Sequence, residues 1–177
     1  MHWIGGIAIS VDIRLARIDD RLIHGQVATA WSKQTGVNRI IVVSDEVAND
    51  PLRNFLLREA APPGIKVNVI DTQKMIRLFF SGLLAGERLM LLFTKPQDVL
   101  RLVEAGVTLT VVNIGGMRYL TGKKMITNFI SVDEEDIRCF RLLAQHQVAL
   151  EVRKVPGDRK LDLMELLAKE EAKSSLQ

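Results

Sequence analysis

With 177 residues, 47% of them apolar and 25% charged, the chain has the size and composition of one globular domain with a single core, which excludes a chain disordered over its bulk. The formal net charge of +3 suits an anionic ligand or an acidic partner, but with no dense Lys/Arg run it excludes a nucleic-acid binder. A lone cysteine, Cys139, rules out an intramolecular disulfide, and no apolar stretch approaches the ~20 residues of a membrane span.

The opening MHWIGGIAISV has no basic start and no small-residue cleavage site before Asp12 and Arg14. It therefore reads as an extended start or a cloning remnant, not as a signal peptide, and residues 1–12 are set apart as an N-terminal extension. Short β-branched runs follow at 13–18, 39–44, 66–70, 88–93, 109–114 and 148–155. Several are almost continuously apolar (IIVV, LMLLF, LTVVNI), as strands covered on both faces must be. Between them the spacing turns helical. Over 51–61, Leu52, Phe55, Leu56 and Glu59 fall at helical intervals, with Asp50 as N-cap and Pro51 at the first helical position. Over 95–106, Pro96 comes early, Val99, Leu102 and Val103 share a face, and Gly106 terminates.

Residues 123–132 read as a further short strand, antiparallel to its neighbour. The segment 133–147 opens with Asp133, Glu134, Glu135 and Asp136, which favour the positive end of a helix. Cys139, among Ile137, Phe140, Leu142 and Leu143, is expected to be a small buried apolar residue on that helix. From Ala168 on the chain is polar and helix-prone, with a frayed end expected. Alternating strands and helices predict a single-domain α/β fold over 13–167, followed by a tail at 168–177. Its sheet is doubly wound and mostly parallel, with helices on both faces and right-handed crossovers.

Ligands of such sheets gather outside the carboxyl ends of the strands. The first such loop, Arg17-Ile18-Asp19-Asp20-Arg21-Leu22-Ile23-His24-Gly25-Gln26, is unusually polar for a connection between an apolar strand and a helix. Histidine offers a neutral, nucleophilic ring nitrogen near neutral pH, its unperturbed pKa being ~6.5. Asp19 or Asp20 can hold the other ring N–H and fix the tautomer. Arg17 and Arg21 can stabilise anionic oxygens, and the amides near Gly25 and Gln26, at a helix start, supply further donors. The loop has the parts of a phosphoryl cradle on His24. The same residue types equally serve a histidine that only binds phosphate, or one that caps a helix beside surface ion pairs.

Other segments carry weaker signals. Ser44-Asp45-Glu46 ends the second strand and serves either a partner or a helix-entry cap. Asn113-Ile114-Gly115-Gly116-Met117 reads as a loop allowing close approach or as a plain turn, with Arg118 and Lys123 completing a basic rim. His2 and His146 lack the partners of a metal site, so no metal is expected. Neither GxxxxGK[ST] nor GxGxxG after a strand is present, so no nucleotide cofactor is expected either.

The stretch LARIDDRLIHGQVATAW resembles the active-site segment of the IIB subunits of the mannose/fructose/sorbose family of the bacterial phosphoenolpyruvate-dependent sugar phosphotransferase system. The resemblance continues through IIVVSDEVANDPLRNFLLREAAPPGIKV, KMIRLF, LLFTKPQDVLRLVEAGV, VNIGGMRY and ISVDEED, covering roughly residues 13–165. It implies a phosphocarrier whose His24 is phosphorylated on the δ nitrogen, accepting the group from a phosphohistidine of a IIA protein. The group then passes to a sugar held by membrane subunits IIC and IID, a protein-Nπ-phosphohistidine–sugar phosphotransferase activity with no cofactor. Arg17, Asp19, Asp20 and Arg21 match residues flanking that histidine, with Gly25 and Gln26 as phosphoryl-binding neighbours. The resemblance places the chain in the cytoplasm against the inner face of the membrane and is compatible with a homodimer. It does not name the sugar: the mannose-like branch is expected, and fructose, sorbose and amino sugars stay open. The alternative from another class is a non-enzymatic module that binds a phosphorylated metabolite at the same loop.

Overall fold

The computed structural model describes the backbone of residues 3–4, 7–8 and 11–174, and the side chains of 11–25 and 28–173. Two short strands, β1 (Trp3–Ile4) and β2 (Ile7–Ala8), pair antiparallel ahead of the domain. The domain then alternates: β3 (Asp12–Asp19), α1 (Gly25–Thr35), β4 (Arg39–Val43), α2 (Asp45–Ala48), α3 (Pro51–Glu59), β5 (Lys66–Ile70), α4 (Thr72–Ser81), β6 (Arg88–Phe93) and α5 (Pro96–Glu104). After β7 (Val111–Gly116), a hairpin of β8 (Lys124–Thr127) and β9 (Ile130–Val132) leads into α6 (Glu134–Gln145). The chain closes with β10 (Ala149–Val152), β11 (Leu161–Asp162) and α7 (Leu163–Ser174). Helix α7 runs across the expected domain end at residue 167.

Seven strands form one sheet in the order β11-β10-β7-β3-β6-β4-β5, parallel throughout except for β11 at the edge. The chain leaves β3 toward β4 and β5, returns to β6, and then crosses β3 to reach β7 and β10. The strand order thus reverses around β3, and the crevice at its carboxyl end is where such a sheet offers a binding site. The doubly wound, mostly parallel α/β architecture read from the sequence is what the chain adopts.

The continuous apolar strands serve two layers at once. Ile41 and Val43 of β4 face the larger core with Phe93, Val99, Phe140 and Leu143, while Ile40 and Val42 face a second core with Trp31, Val47 and Leu57. The caps follow the sequence. Asp50 accepts from the Arg53 amide at 3.0 Å ahead of Pro51, and Asp133 and Asp136 form a reciprocal capping box that starts α6. Residues 123–132 form the antiparallel β8–β9 pair, and Cys139 is buried, its thiol pushed up to about 11 by burial.

One expectation shifts, and one helix face lies where spacing alone did not say. The strand expected at 109–114 runs instead over Val111–Gly116, because its glycines continue the ladder and Gly116 pairs with Asp19. On α3, the stripe of Leu52, Phe55 and Leu56 faces outward at 67%, 59% and 54% exposure, and Leu57 is the buried residue. The helix lies beside the edge strand β5 and meets the core through that one side chain.

Candidate functional site

Alternation along β3 sends Ile18 into the larger core and turns Arg17 and Asp19 to the other face. Both are buried, contrary to the loop position expected for them. Both terminal nitrogens of the Arg17 guanidinium are engaged. Nη1 donates to the Asn113 side-chain oxygen and, at 3.1 Å, to the Arg153 carbonyl. Nη2 donates to Asp19 at 2.7 Å and to the Lys154 carbonyl at 3.0 Å. Its Cζ also lies 5.3 Å from the centre of the Trp31 ring, with Arg153 at 4.8 Å. Burial pulls the Arg17 pKa below that of a free arginine, and the adjacent Asp19 pulls it back up. Buried and with both terminal nitrogens engaged, Arg17 does not point at an incoming anion, as the sequence suggested; it holds the strand ends together.

Asp19 relays that order outward. Besides Arg17, it accepts from the Arg21 amide at 3.2 Å and from Arg21 Nε at 3.3 Å. Arg21 is thereby pinned at its inner end while its side chain stays 47% exposed. Asp20 turns to the far side, accepting from the Arg118 amide at 3.1 Å and pairing with its guanidinium at 3.4 Å. Its own amide donates to the Gly116 carbonyl at 3.1 Å, which ties the loop to β7.

The loop then closes tightly. The Leu22 amide donates to the Asp19 carbonyl at 2.9 Å, and Leu22 takes a left-handed φ of 57° so that it and Ile23 reach the core around Trp31. His24 follows as the N-cap residue of α1 in extended backbone, with no capping by its side chain. Gly25, at φ +42°, allows the turn into the helix. The ring is half-buried, and Nδ1 lies 3.0 Å from the Leu22 carbonyl. A carbonyl only accepts, so Nδ1 carries the hydrogen in this contact and the lone pair sits on Nε2, which is buried with no partner among the described residues. The ring is therefore held by a backbone carbonyl, where a neighbouring aspartate had been expected.

The remaining candidates sort by position. Ser44 caps α2, and Asp45 accepts from the Thr72 amide and hydroxyl, both at 2.8 Å, and from Arg101 at 2.7 Å; those amide contacts hold its carboxyl below the usual range. That segment is a structural junction. Lys123 pairs with Asp133 and Asp136 and leaves the expected basic rim, whereas Arg118 stays beside Asp20. Gly115 and Gly116 belong to β7 and make room for Arg17 and Asp19. The side chain of Gln26 lies outside the described residues. Sequence reasoning missed Trp31, Arg153 and Lys154, whose common signal is only spatial. Among the described residues there is no group of three or more His, Cys, Asp or Glu side chains fit for a metal, and no helix long and apolar enough to cross a membrane.

A doubly wound α/β domain that presents a histidine and a pinned, half-exposed arginine at its switch-point strand defines a class of domain built to handle an anionic group at its edge. The chain belongs to the family described as the PTS system sorbose subfamily IIB component, which matches residues 13–177. It is 58% identical over 157 residues to the mannose-specific EIIAB component of Escherichia coli K12, an alignment covering 89% of this chain and 49% of that protein. The chain thus spans about half the length of that relative. It is 46% identical over 155 residues to the sorbose-specific EIIB component of Klebsiella pneumoniae, covering 88% of this chain and 94% of that one. The solved IIBSor domain of the sorbose permease from Klebsiella pneumoniae superposes with a TM-score of 0.87 at 45% identity, over 89% of this chain and 97% of that chain.

Proposed function

We propose that the chain is the phosphocarrier of a sugar phosphotransferase system, with His24 as the residue that carries the phosphoryl group. The observation that supports this most is the local arrangement. His24 opens α1 with no side-chain cap, and Arg21, three residues earlier in the same loop, is fixed through Asp19 while its side chain stays half-exposed. The donor is a IIA phosphohistidine and the acceptor a hexose of the mannose group held by membrane subunits IIC and IID. The chain works in the cytoplasm at the inner membrane face.

In the first exchange the lone pair of the His24 nitrogen forms a bond to phosphorus while the bond to the donor imidazole breaks and its electron pair returns to the donor ring. During the transfer itself both rings keep the N–H on their other nitrogen; for His24 that hydrogen must sit on Nε2 before Nδ1 can attack. In the second exchange a sugar hydroxyl oxygen bonds to phosphorus, the bond to His24 breaks, and the freed nitrogen takes the hydroxyl proton. Arg21 neutralises oxygens on which charge builds up in both steps. Transfer through the δ nitrogen requires the ring to turn, releasing Nδ1 from Leu22 and moving the hydrogen to Nε2. Asp19 and Arg17 act through Arg21 by fixing it, Asp20 fixes the loop against Arg118, and the amides at Gly25 and Gln26 face the anion from the helix start.

The test is incubation with the phosphoenolpyruvate-driven donor chain and measurement of acid-labile label. The wild type should be labelled and His24→Ala should not, with an unchanged circular dichroism spectrum. Label retained on His146 or His2 would overturn the assignment. Phosphate binding without any label would make the chain a phosphate-binding module.

A further inference from the structure

A pocket of about 440 Å³ opens beside the Asp20–Arg21 turn, between the end of β7, the β8–β9 hairpin and Lys154 just past β10. Charges around it do not cancel. Asp19 lies between Arg17 and Arg21, at 2.7 and 3.3 Å, and Asp20 faces Arg118 at 3.4 Å. Lys154 is exposed, and among the described residues its ammonium has no carboxylate; its one contact is the ring of Phe129, 5.9 Å away. Of the residues that line the pocket, Arg21, Arg118 and Lys154 are cationic and Asp20 alone is a carboxylate, an excess matched to the two charges of a phosphoryl group.

The backbone of Lys154 is fixed to the site while its ammonium is not. Its carbonyl accepts from Arg17 Nη2 at 3.0 Å and from Trp31 Nε1 at 3.2 Å, so its Cα is tied both to the strand before His24 and to the helix after it. The flexible side chain swings from that anchor over the pocket that Arg21 also lines.

Resting on the phosphocarrier reading above, we propose that Lys154 is a phosphoryl-binding residue of this pocket. Its ammonium meets the non-reacting oxygens opposite Arg21 and is the cation left over once Asp19 has engaged Arg21 and Asp20 has engaged Arg118. The shared chemistry is that dianion, arriving on a donor histidine or as free phosphate.

The experiment compares Lys154→Gln and Lys154→Arg with wild type in two assays: single-turnover labelling of His24 by phosphorylated donor, and titration with inorganic phosphate followed by amide NMR shifts of the 20–25 loop. A charge-assisted hydrogen bond to phosphate predicts a ~10–100-fold loss of labelling rate in Lys154→Gln, with most of it restored in Lys154→Arg. The thermal midpoint should not change, because the carbonyl that anchors Arg17 remains. Weaker inorganic phosphate binding in Lys154→Gln supports the pocket even if the wild type takes no label, an outcome that would sink the phosphocarrier reading alone. Labelling and phosphate affinity both equal to wild type in Lys154→Gln would overturn the role of Lys154.

Discussion

Gly115 leaves the space that the Arg17 guanidinium occupies: a Cβ built on Gly115 would sit 1.9 Å from Arg17 Cζ. The guanidinium cannot swing aside cheaply, since Asn113, Asp19 and two backbone carbonyls hold it in a buried slot. Gly115→Ala should therefore act like the loss of Arg17 itself. Breaking a buried pair costs about 3–5 kcal/mol, and the lower end applies here because Asp19 keeps Arg21 as a partner. Urea unfolding should show this loss for Gly115→Ala and for Arg17→Ala. The double variant should be no less stable than Arg17→Ala, since removing the guanidinium frees room for the new methyl. Fully additive losses would mean that Gly115 matters for another reason.

Arg21 differs from Arg17 in what it risks. Its side chain is half-exposed, so its removal should spare the fold and harm transfer. A charge-assisted donor to transition-state oxygens accounts for about 10²–10³ in rate, which is the slowing expected of Arg21→Ala. Arg21→Lys should recover part of it, because lysine keeps the charge but loses the fork that Asp19 grips. Single-turnover labelling from phosphorylated donor measures both. Rates within a few-fold of wild type for Arg21→Ala would make it a structural residue.

Much of this fold was legible because its signals are local. Asp50–Pro51 and Asp133–Asp136 mark helix starts within a few residues, and IIVV announces a strand with a core on each side. The histidine loop was legible in the same way, as polar residues where an apolar connection belongs. The direction of Arg17 was not. Its acceptors Asn113, Arg153 and Lys154 lie 96, 136 and 137 residues away, so nothing near Arg17 in the chain distinguishes a buried clamp from a free anion ligand. The α3 stripe shows a related limit: periodicity shows that a face exists, while the neighbours decide whether it is covered. Here Leu52, Phe55 and Leu56 are left to solvent.

The shallow placement of the histidine loop bears on how partners take turns. His24 is half-buried on an edge that also carries Arg21 and Arg118. On the phosphocarrier reading proposed above, this one acceptor meets first a donor histidine and then a membrane-held sugar. Binding of IIA and of the membrane subunits should therefore be mutually exclusive. A basic edge should also draw in an acidic phosphorylated donor faster at low ionic strength. Competition binding and stopped-flow association across a salt series measure these two effects. A ternary complex with undiminished affinities, or a rate indifferent to salt, would count against a shared surface.

Asp98 supplies a prediction about pH that does not involve transfer. It lies fully buried in the first turn of α5, and among the described residues neither carboxylate oxygen has a hydrogen-bond partner. Burial raises its pKa from 3.8 to about 6, with Asp45 and Glu46 adding to the rise and Lys95 and Arg101 opposing it. An acid whose folded pKa lies above its unfolded value binds more protons in the native state across that interval, so stability falls as pH rises from about 4 to about 6. A tenfold change in proton affinity corresponds to about 1.4 kcal/mol, so at pH 7 the ionised carboxylate costs the fold up to about 3 kcal/mol. Asp98→Asn keeps the shape and removes the charge. It should be more stable than wild type at pH 7 by about 1–3 kcal/mol and should lose that advantage near pH 4, where Asp98 is protonated in the native state and the charge no longer has to be buried. Urea midpoints at the two pH values decide it: an advantage that persists unchanged at pH 4 would assign the gain to something other than the buried charge.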